Sequence, residues 1–390
     1  MKLLEVIVLK YVKRLGLGLI FVAALLVIAG CTAVPTAWPG LAADSEAVYV
    51  TLLDGKVHAL NPDSGDEMWV FPNEPAGKSG LGCSGPARPA TGLFYATPVL
   101  NEEIVFIGSD AGKVYALDRA NGTQQWEFVS QQETGGNFFQ LFSQKKNPSI
   151  IGSPKLDGET LYVPSADQSL YAVSAASGVK QWDFQVNDAL WTSPLLTKDR
   201  IYVAAMDHKL YCLDRESRAE LWAFDAEGSV PSTPALAGDR IYLSSLARKA
   251  FAIDANTGQK IWSFDMDSWA WATPLVVSDT VYVSEVNGTL FALDAETGGE
   301  QWQFDTRGKI QGSPAYAAGT LYLASEDMNL YALDAATGAQ KWFFTASAAL
   351  MSTPVVLDDT LYVVDMDNKV YALNAESGAI TWEYDPTPEK

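Results

Sequence analysis

Histidine is nearly missing from this chain, with two, His58 and His208, in 390 residues. A Ser-His-Asp triad or a His-rich metal site needs more than that, so neither is expected. Cysteine is almost as scarce, at three. A single pair beyond Cys31 makes no disulfide framework. Cations are outnumbered, with 27 Lys and Arg against 47 Asp and Glu, a formal charge of −20. Such a surface repels phosphate backbones, and a nucleic-acid partner is not expected. There is no G-x-S-x-G, no P-loop and no C-x-x-C. The one Gly-rich stretch, GLGCSG at 80–85, follows no strand-to-helix pattern, which leaves nucleotide binding without a motif. No window carries helical periodicity of useful length, so a helical core is excluded as well.

What the chain does have is apolar and aromatic mass, 48% and 11% of residues, enough for a sizeable core. Residues 1–30 stand apart. Lys2, Lys10, Lys13 and Arg14 precede LGLGLIFVAALLVIAG, a run as long as a signal-peptide core and short for a span of about 20 residues. It ends at Ile28-Ala29-Gly30-Cys31, and small residues before a Cys resemble a bacterial lipobox. The expected organisation is a lipoprotein signal peptide at 1–30, Cys31 as the lipidated mature terminus, a tether at 31–45, and one folded domain from 46 to 390. Without residues 1–30, which hold four bases and one acid (Glu5), 23 basic groups face 46 acidic ones, a charge of −23. Cys212 sits in LYCLD where other copies have Ala, and reads as a small buried residue. The pairing of Cys83, in a loop, stays open.

The folded part is a repeat. Trp69, Trp126, Trp182, Trp222, Trp262, Trp302, Trp342 and Trp382 recur with gaps of 57 and 56, then 40 throughout. Each unit opens on a Thr/Ser-Pro strand, such as STPVVL at 352–357. It continues through LYVV at 361–364 and VYALN at 370–374, and closes on a Trp strand, ITWEY at 380–384. Short β-branched and aromatic runs with turn residues between them read as strands. Four strands in about 40 residues is the size of a propeller blade. The expected fold is all-β, an eight-bladed β-propeller of four-stranded antiparallel blades. The first strand of blade 1 is weak and falls in AWPGLA at 37–42.

The turn before each Trp carries Ala332, Asp334, Thr337, Gly338 and Trp342 in one copy, and Ala292, Asp294, Thr297, Gly298 and Trp302 in another. The Gly suits a turn residue with positive φ, and one flat indole per blade fills the wedge between neighbours. This pattern resembles the tryptophan-docking repeat of the pyrroloquinoline-quinone (PQQ) propeller family, from about residue 46 to 384. Blade 4 departs from it, with Cys212 in the Ala place and Arg218 in the Gly place. That blade is expected to dock less regularly.

Function is expected on one face. In a propeller, the connections from fourth to first strand share a face with those from second to third. Both long insertions, 72–93 and 129–149, are fourth-to-first connections. The second carries Phe138, Phe139, Leu141 and Phe142, which either meet a partner or pack as a satellite core. The residues three before each repeat Pro (Tyr95, Ile151, Trp191, Pro231, Trp271, Gln311 and Met351) should ring the channel mouth. Together with Trp269, the two tryptophans form an aromatic floor for a peptide strand or a sugar, or they pack the wall. Asp110, Asp167, Asp207, Asn287, Asp327 and Asp367, on the second-to-third turns, read mainly as turn residues. His58, in the place of a strand Tyr, reads as core, and His208 as solvated.

The resemblance also implies limits. PQQ dehydrogenases use an Asp base, a Ca²⁺ ion and often a disulfide between adjacent cysteines. This chain has no adjacent cysteines, and its positions suggest no calcium set. Within the family it looks like the propeller scaffold lipoproteins of the outer-membrane β-barrel assembly machinery. That likeness implies a non-enzymatic scaffold without cofactor, tethered to the membrane through Cys31 and binding a β-barrel assembly protein through loops on one face. A PQQ- or Ca²⁺-dependent oxidoreductase and an extracellular propeller recognising glycan or peptide stand as alternatives.

Overall fold

A computed structural model describes residues 39–73, 91–130 and 148–387. Cys31, Cys83, Phe138, Phe139, Leu141 and Phe142 lie outside the described residues. Every element of secondary structure described is a strand. The strands form eight separate four-stranded antiparallel sheets, each paired in sequence order, and the sheets are the blades of an eight-bladed β-propeller. Blade 1 covers 41–71, and blades 2 to 8 cover 99–129, 155–185, 195–225, 235–265, 275–305, 315–345 and 355–384. The first strand of blade 1, Leu41–Ala43, pairs with Val48–Thr51. It falls at the end of the stretch 37–42, within the residues expected as tether.

The blades are held by the chemistry that the repeat encodes. Ala332 and Trp342 face each other across the third and fourth strands, and the register slips by one residue just after Ala332. The same slip follows the equivalent residue in all eight blades. A bulge there increases local twist and turns the indole toward the next blade. In the turn, Asp334 Oδ1 accepts from the Thr337 amide (3.1 Å) and hydroxyl (2.8 Å), while the Gly338 amide donates to the Asp334 carbonyl (2.8 Å). Gly338 has φ +72°, and a Cβ there would stand 2.6 Å from the Trp302 ring of the preceding blade. None of the eight indoles is exposed, and Trp69, Trp262 and Trp382 are buried outright.

Polar contacts finish each seam. In blade 5, Tyr242 Oη and Trp262 Nε1 both donate to the Ala295 carbonyl of blade 6, at 3.1 Å each. Ring closure reuses this device. Tyr362 Oη and Trp382 Nε1 of blade 8 donate to the Pro62 carbonyl of blade 1, at 3.3 and 2.8 Å. Blade 1 and blade 8 exchange no strand, so closure depends on side chains. Leu41, Val50 and Leu60 pack on Tyr362, Val370 and Trp382.

His58 belongs to this closing seam. It is buried as the sequence implied, yet it is a polar hub: Nε2 lies 3.0 Å from Asp54 Oδ2 and Nδ1 lies 2.9 Å from Glu67 Oε2. Tyr384 Oη of blade 8 reaches both His58 and Glu67. Burial works to raise the Glu67 pKa, but hydrogen bonds from Tyr384 and His58 outweigh it and leave it lowered. A carboxylate with a depressed folded pKa stabilises above its ordinary value near about 4.3, and that contribution is lost as pH falls through the folded value. Melting followed from pH 7 to pH 3 should therefore fall less steeply for Glu67→Gln than for the parent. Equal slopes would remove Glu67 from the closure.

Arg218 keeps the turn: its φ is +63° and its amide donates to the Asp214 carbonyl at 2.8 Å. The irregularity appears on the ring it receives. The Trp182 indole lies at 69° to Tyr162, whereas the equivalent pairs lie between 40° and 46°. The guanidinium stacks 5.2 Å over Trp182, and Arg215 pairs with Asp157 of blade 3. A long cation thus replaces the glycine contact at the seam between blades 3 and 4. Cys212 is free and fully buried, and burial pushes its thiol up to about 11.

Candidate functional site: the linker face and the channel mouth

The two faces of the propeller differ chemically. One carries the Asp-Thr-Gly turns and the short first-to-second hairpins, which are small and polar. The other carries the fourth-to-first linkers and second-to-third turns. Their proximity is shown by backbone bonds: the Met206 amide to the Ala189 carbonyl (3.0 Å), Val286 to Trp269 (2.7 Å), and Met366 to Ala349 (3.0 Å). The shared face inferred from the sequence is therefore present.

In several blades the turn is clasped to the linker beside it by an acid. Asp207 Oδ2 accepts from Tyr211 Oη (2.6 Å) and the Asn187 amide (3.1 Å). Asp327 does the same with Tyr331 (2.7 Å) and the Arg307 amide (3.0 Å). In blade 8 the clasp is made by Asp365, bonded to Ser347 Oγ (2.8 Å) and Tyr371 Oη (3.0 Å); Asp367 only donates its amide to it. Burial works to raise the Asp327 pKa, yet these donors hold it below the ordinary carboxylate value. Tyr331 is pushed up to about 12, first by burial and then by its carboxylate partner. The signal, an Asp four residues before a Tyr, is present in the sequence, but only the fold shows that it ties turn to linker. In blade 6, Glu285 serves instead, accepting from the Ser268 amide (2.8 Å), and the Tyr place holds Phe291.

The rim residues separate into two groups. Ile151, Trp191, Pro231, Trp271 and Gln311 converge on a funnel of about 140 Å³ at the channel mouth. Trp191 of blade 4 and Trp271 of blade 6 meet across it, with ring centroids 6.2 Å apart at 41°. Trp269 stands outside the funnel, 56% exposed. Met351 and Tyr95 are half-buried on the same face, and neither lines the funnel. Apart from Met351, sequence reasoning missed the methionines. Of seven in the chain, Met206, Met266, Met328, Met351 and Met366 lie on linkers or turns of this face, and Met328 is 43% exposed. His208 is exposed in its turn.

The PQQ resemblance can be tested against the funnel. That cofactor is a tricarboxylate, and its partners are cations and polar donors. The funnel lining holds Ser, Thr, Gly, Pro, Trp, Ile, Ala and Gln, with no Lys, Arg, Asp or Glu. Three carboxylates would lie there without a counter-charge and no lining carboxylate could serve as a base, so these residues do not fit PQQ. No cluster of three His, Cys, Asp or Glu with metal-holding geometry occurs among the described residues.

Comparison with known proteins gives a consistent picture. The family described as "Outer membrane protein assembly factor BamB" matches residues 53–211, 187–294 and 286–390. A protein of that name from Shewanella oneidensis is 26% identical over 137 residues, 35% of this chain and 30% of that protein. One from Nitrosomonas eutropha is 22% identical over 142 residues, 36% of this chain and 26% of that protein. The aligned segments thus span under a third of these curated relatives. The crystal structure of BamB from Moraxella catarrhalis superposes with TM-score 0.65 at 16% identity, over 90% of this chain and 95% of that one. The computationally designed Ika8 protein superposes with TM-score 0.66 at 13% identity, over 77% of this chain and 89% of that one. A designed chain sharing the architecture underlines that the fold alone carries no function.

Proposed function

The chain belongs to the family of the outer membrane protein assembly factor BamB, and from that premise we propose that it is a non-enzymatic scaffold of the cell envelope. It is tethered by lipid at Cys31 and works without PQQ or Ca²⁺. In a cell with two membranes it faces the periplasm from the outer membrane; in a cell with one it faces outward. Its partner is a β-barrel assembly protein, held by the face that bears the fourth-to-first linkers.

The observation that carries this reading is the chemical asymmetry of the propeller. Soft, adaptable side chains gather on one face, with Trp269 and Met328 exposed among them. Methionine and tryptophan are over-represented where proteins bind partners, Met for its adaptability and Trp as an anchor. The opposite face is small, polar and rich in Asp, which suits solvent.

Capture of the assembly protein from detergent-extracted envelopes tests the reading. The double variant Trp269→Glu, Met328→Glu is expected to weaken capture by about tenfold or more, since a buried anchor contributes about 2 kcal/mol. Glu376→Lys, on an exposed turn of the opposite face, is expected to leave it intact. Loss with the second variant and not the first would place the interface elsewhere.

A further inference from the structure

We propose that the channel mouth binds an uncharged pyranose sugar, admitting one ring of an oligosaccharide at a time. The residue just before the repeat Pro is a hydroxyl in seven consecutive blades, and in blades 3 to 8 it is Ser153, Ser193, Thr233, Thr273, Ser313 and Thr353. All six line the funnel beside Trp191, Trp271 and Gln311. Three of these hydroxyls accept a backbone amide from the preceding blade. Ser153 Oγ accepts from the Thr97 amide (2.8 Å), Ser313 Oγ from Thr273 (2.9 Å), and Thr353 Oγ1 from Ser313 (3.0 Å). An accepting hydroxyl keeps its own O–H to donate.

The two tryptophans are not demanded by the fold. Other blades place Tyr95, Ile151, Gln311 or Met351 at the same position, so the packing there tolerates almost any shape. Blade 5, between them, places the short Pro231, which leaves a shelf where Trp191 and Trp271 meet.

The chemistry selects the ligand class. An anion would find no cation among the lining residues, and a cation no carboxylate. A neutral ring with hydroxyls at its edge matches the hydroxyl girdle beside the two indoles. The volume, about 140 Å³, lies well below the ~300–1000 Å³ of pockets that enclose a drug-sized ligand. It suits one ring at the end of a longer chain. This inference stands apart from the scaffold reading, because the funnel lies apart from Trp269 and Met328.

The test titrates the full chain with maltotetraose and tetra-N-acetylchitotetraose, both neutral, and with tetragalacturonate as the anionic counterpart. Indole fluorescence and calorimetry are the readouts. A saturable signal is expected for at least one neutral tetramer and none for tetragalacturonate. Trp271→Ala is expected to weaken that binding about tenfold, and Trp271→Phe, which keeps a ring, by less. Tyr316→Ala, at an exposed strand position outside the funnel, should leave it unchanged. No saturable signal from either neutral tetramer up to about 10 mM would overturn the proposal, as would equal binding of the anionic one. Binding that survives both Trp271→Ala and Trp191→Ala in folded protein would overturn it too.

Discussion

Trp262→Ala is expected to cost about 3–5 kcal/mol, the range for deleting a large buried aromatic ring. The ring is 8% exposed, packs 5.9 Å from Tyr242 and donates from Nε1 to the Ala295 carbonyl. That carbonyl keeps Tyr242 Oη and Arg240 Nη1 as donors after the change, so the loss is mainly the cavity. In thermal denaturation the midpoint should fall by roughly 6–12 °C. A change under about 2 °C would mean that the indoles decorate the seams without holding them.

Gly298→Ala is expected to cost about 2–4 kcal/mol, although it adds a single methyl group. Gly298 has φ +74°, and a Cβ would stand 2.7 Å from Cδ2 of Trp262. Left-handed backbone strain and overpacking against a ring that cannot move therefore add. Arg218→Gly supplies the opposite case. The seam between blades 3 and 4 is already built around a long side chain at φ +63°, with its guanidinium over Trp182. Relief of backbone strain is offset by a looser unfolded chain and the lost cation–π contact, so a change within about 1 kcal/mol is expected. The pair separates two roles of the residue, and denaturant titration of both variants measures them. A large loss from Arg218→Gly would show that the arginine, and not the turn, holds that seam.

Much of this was legible in the sequence. The Trp spacing gave the number of blades, the Gly marked the turn, and the Arg218 substitution marked the irregular seam. The rim position three before each Pro also placed Trp191 and Trp271 at the channel mouth. Closure through Tyr384, Glu67 and His58 was not legible, because those residues are 326 and 317 positions apart for the two pairs made by Tyr384. His58 could be read as core from its strand position, but its carboxylate partners could not. The clasp in blade 8 shows the same limit: Asp365 and Asp367 are equally good turn residues, and only the backbone direction decides which one meets Tyr371.

The sequence by itself determined the repeating parts: strand, bulge, turn and indole, each set by contacts within about 40 residues and repeated until the ring closes. Tertiary structure decided what no single repeat contains. It chose which methionines share a face, which two of the rim residues touch over the intervening blade, and which carboxylate binds which phenol. Local chemistry fixes a blade, because its hydrogen bonds are short-range and periodic. A face or a channel mouth is assembled from one residue per blade, so its composition exists only after the ring has closed.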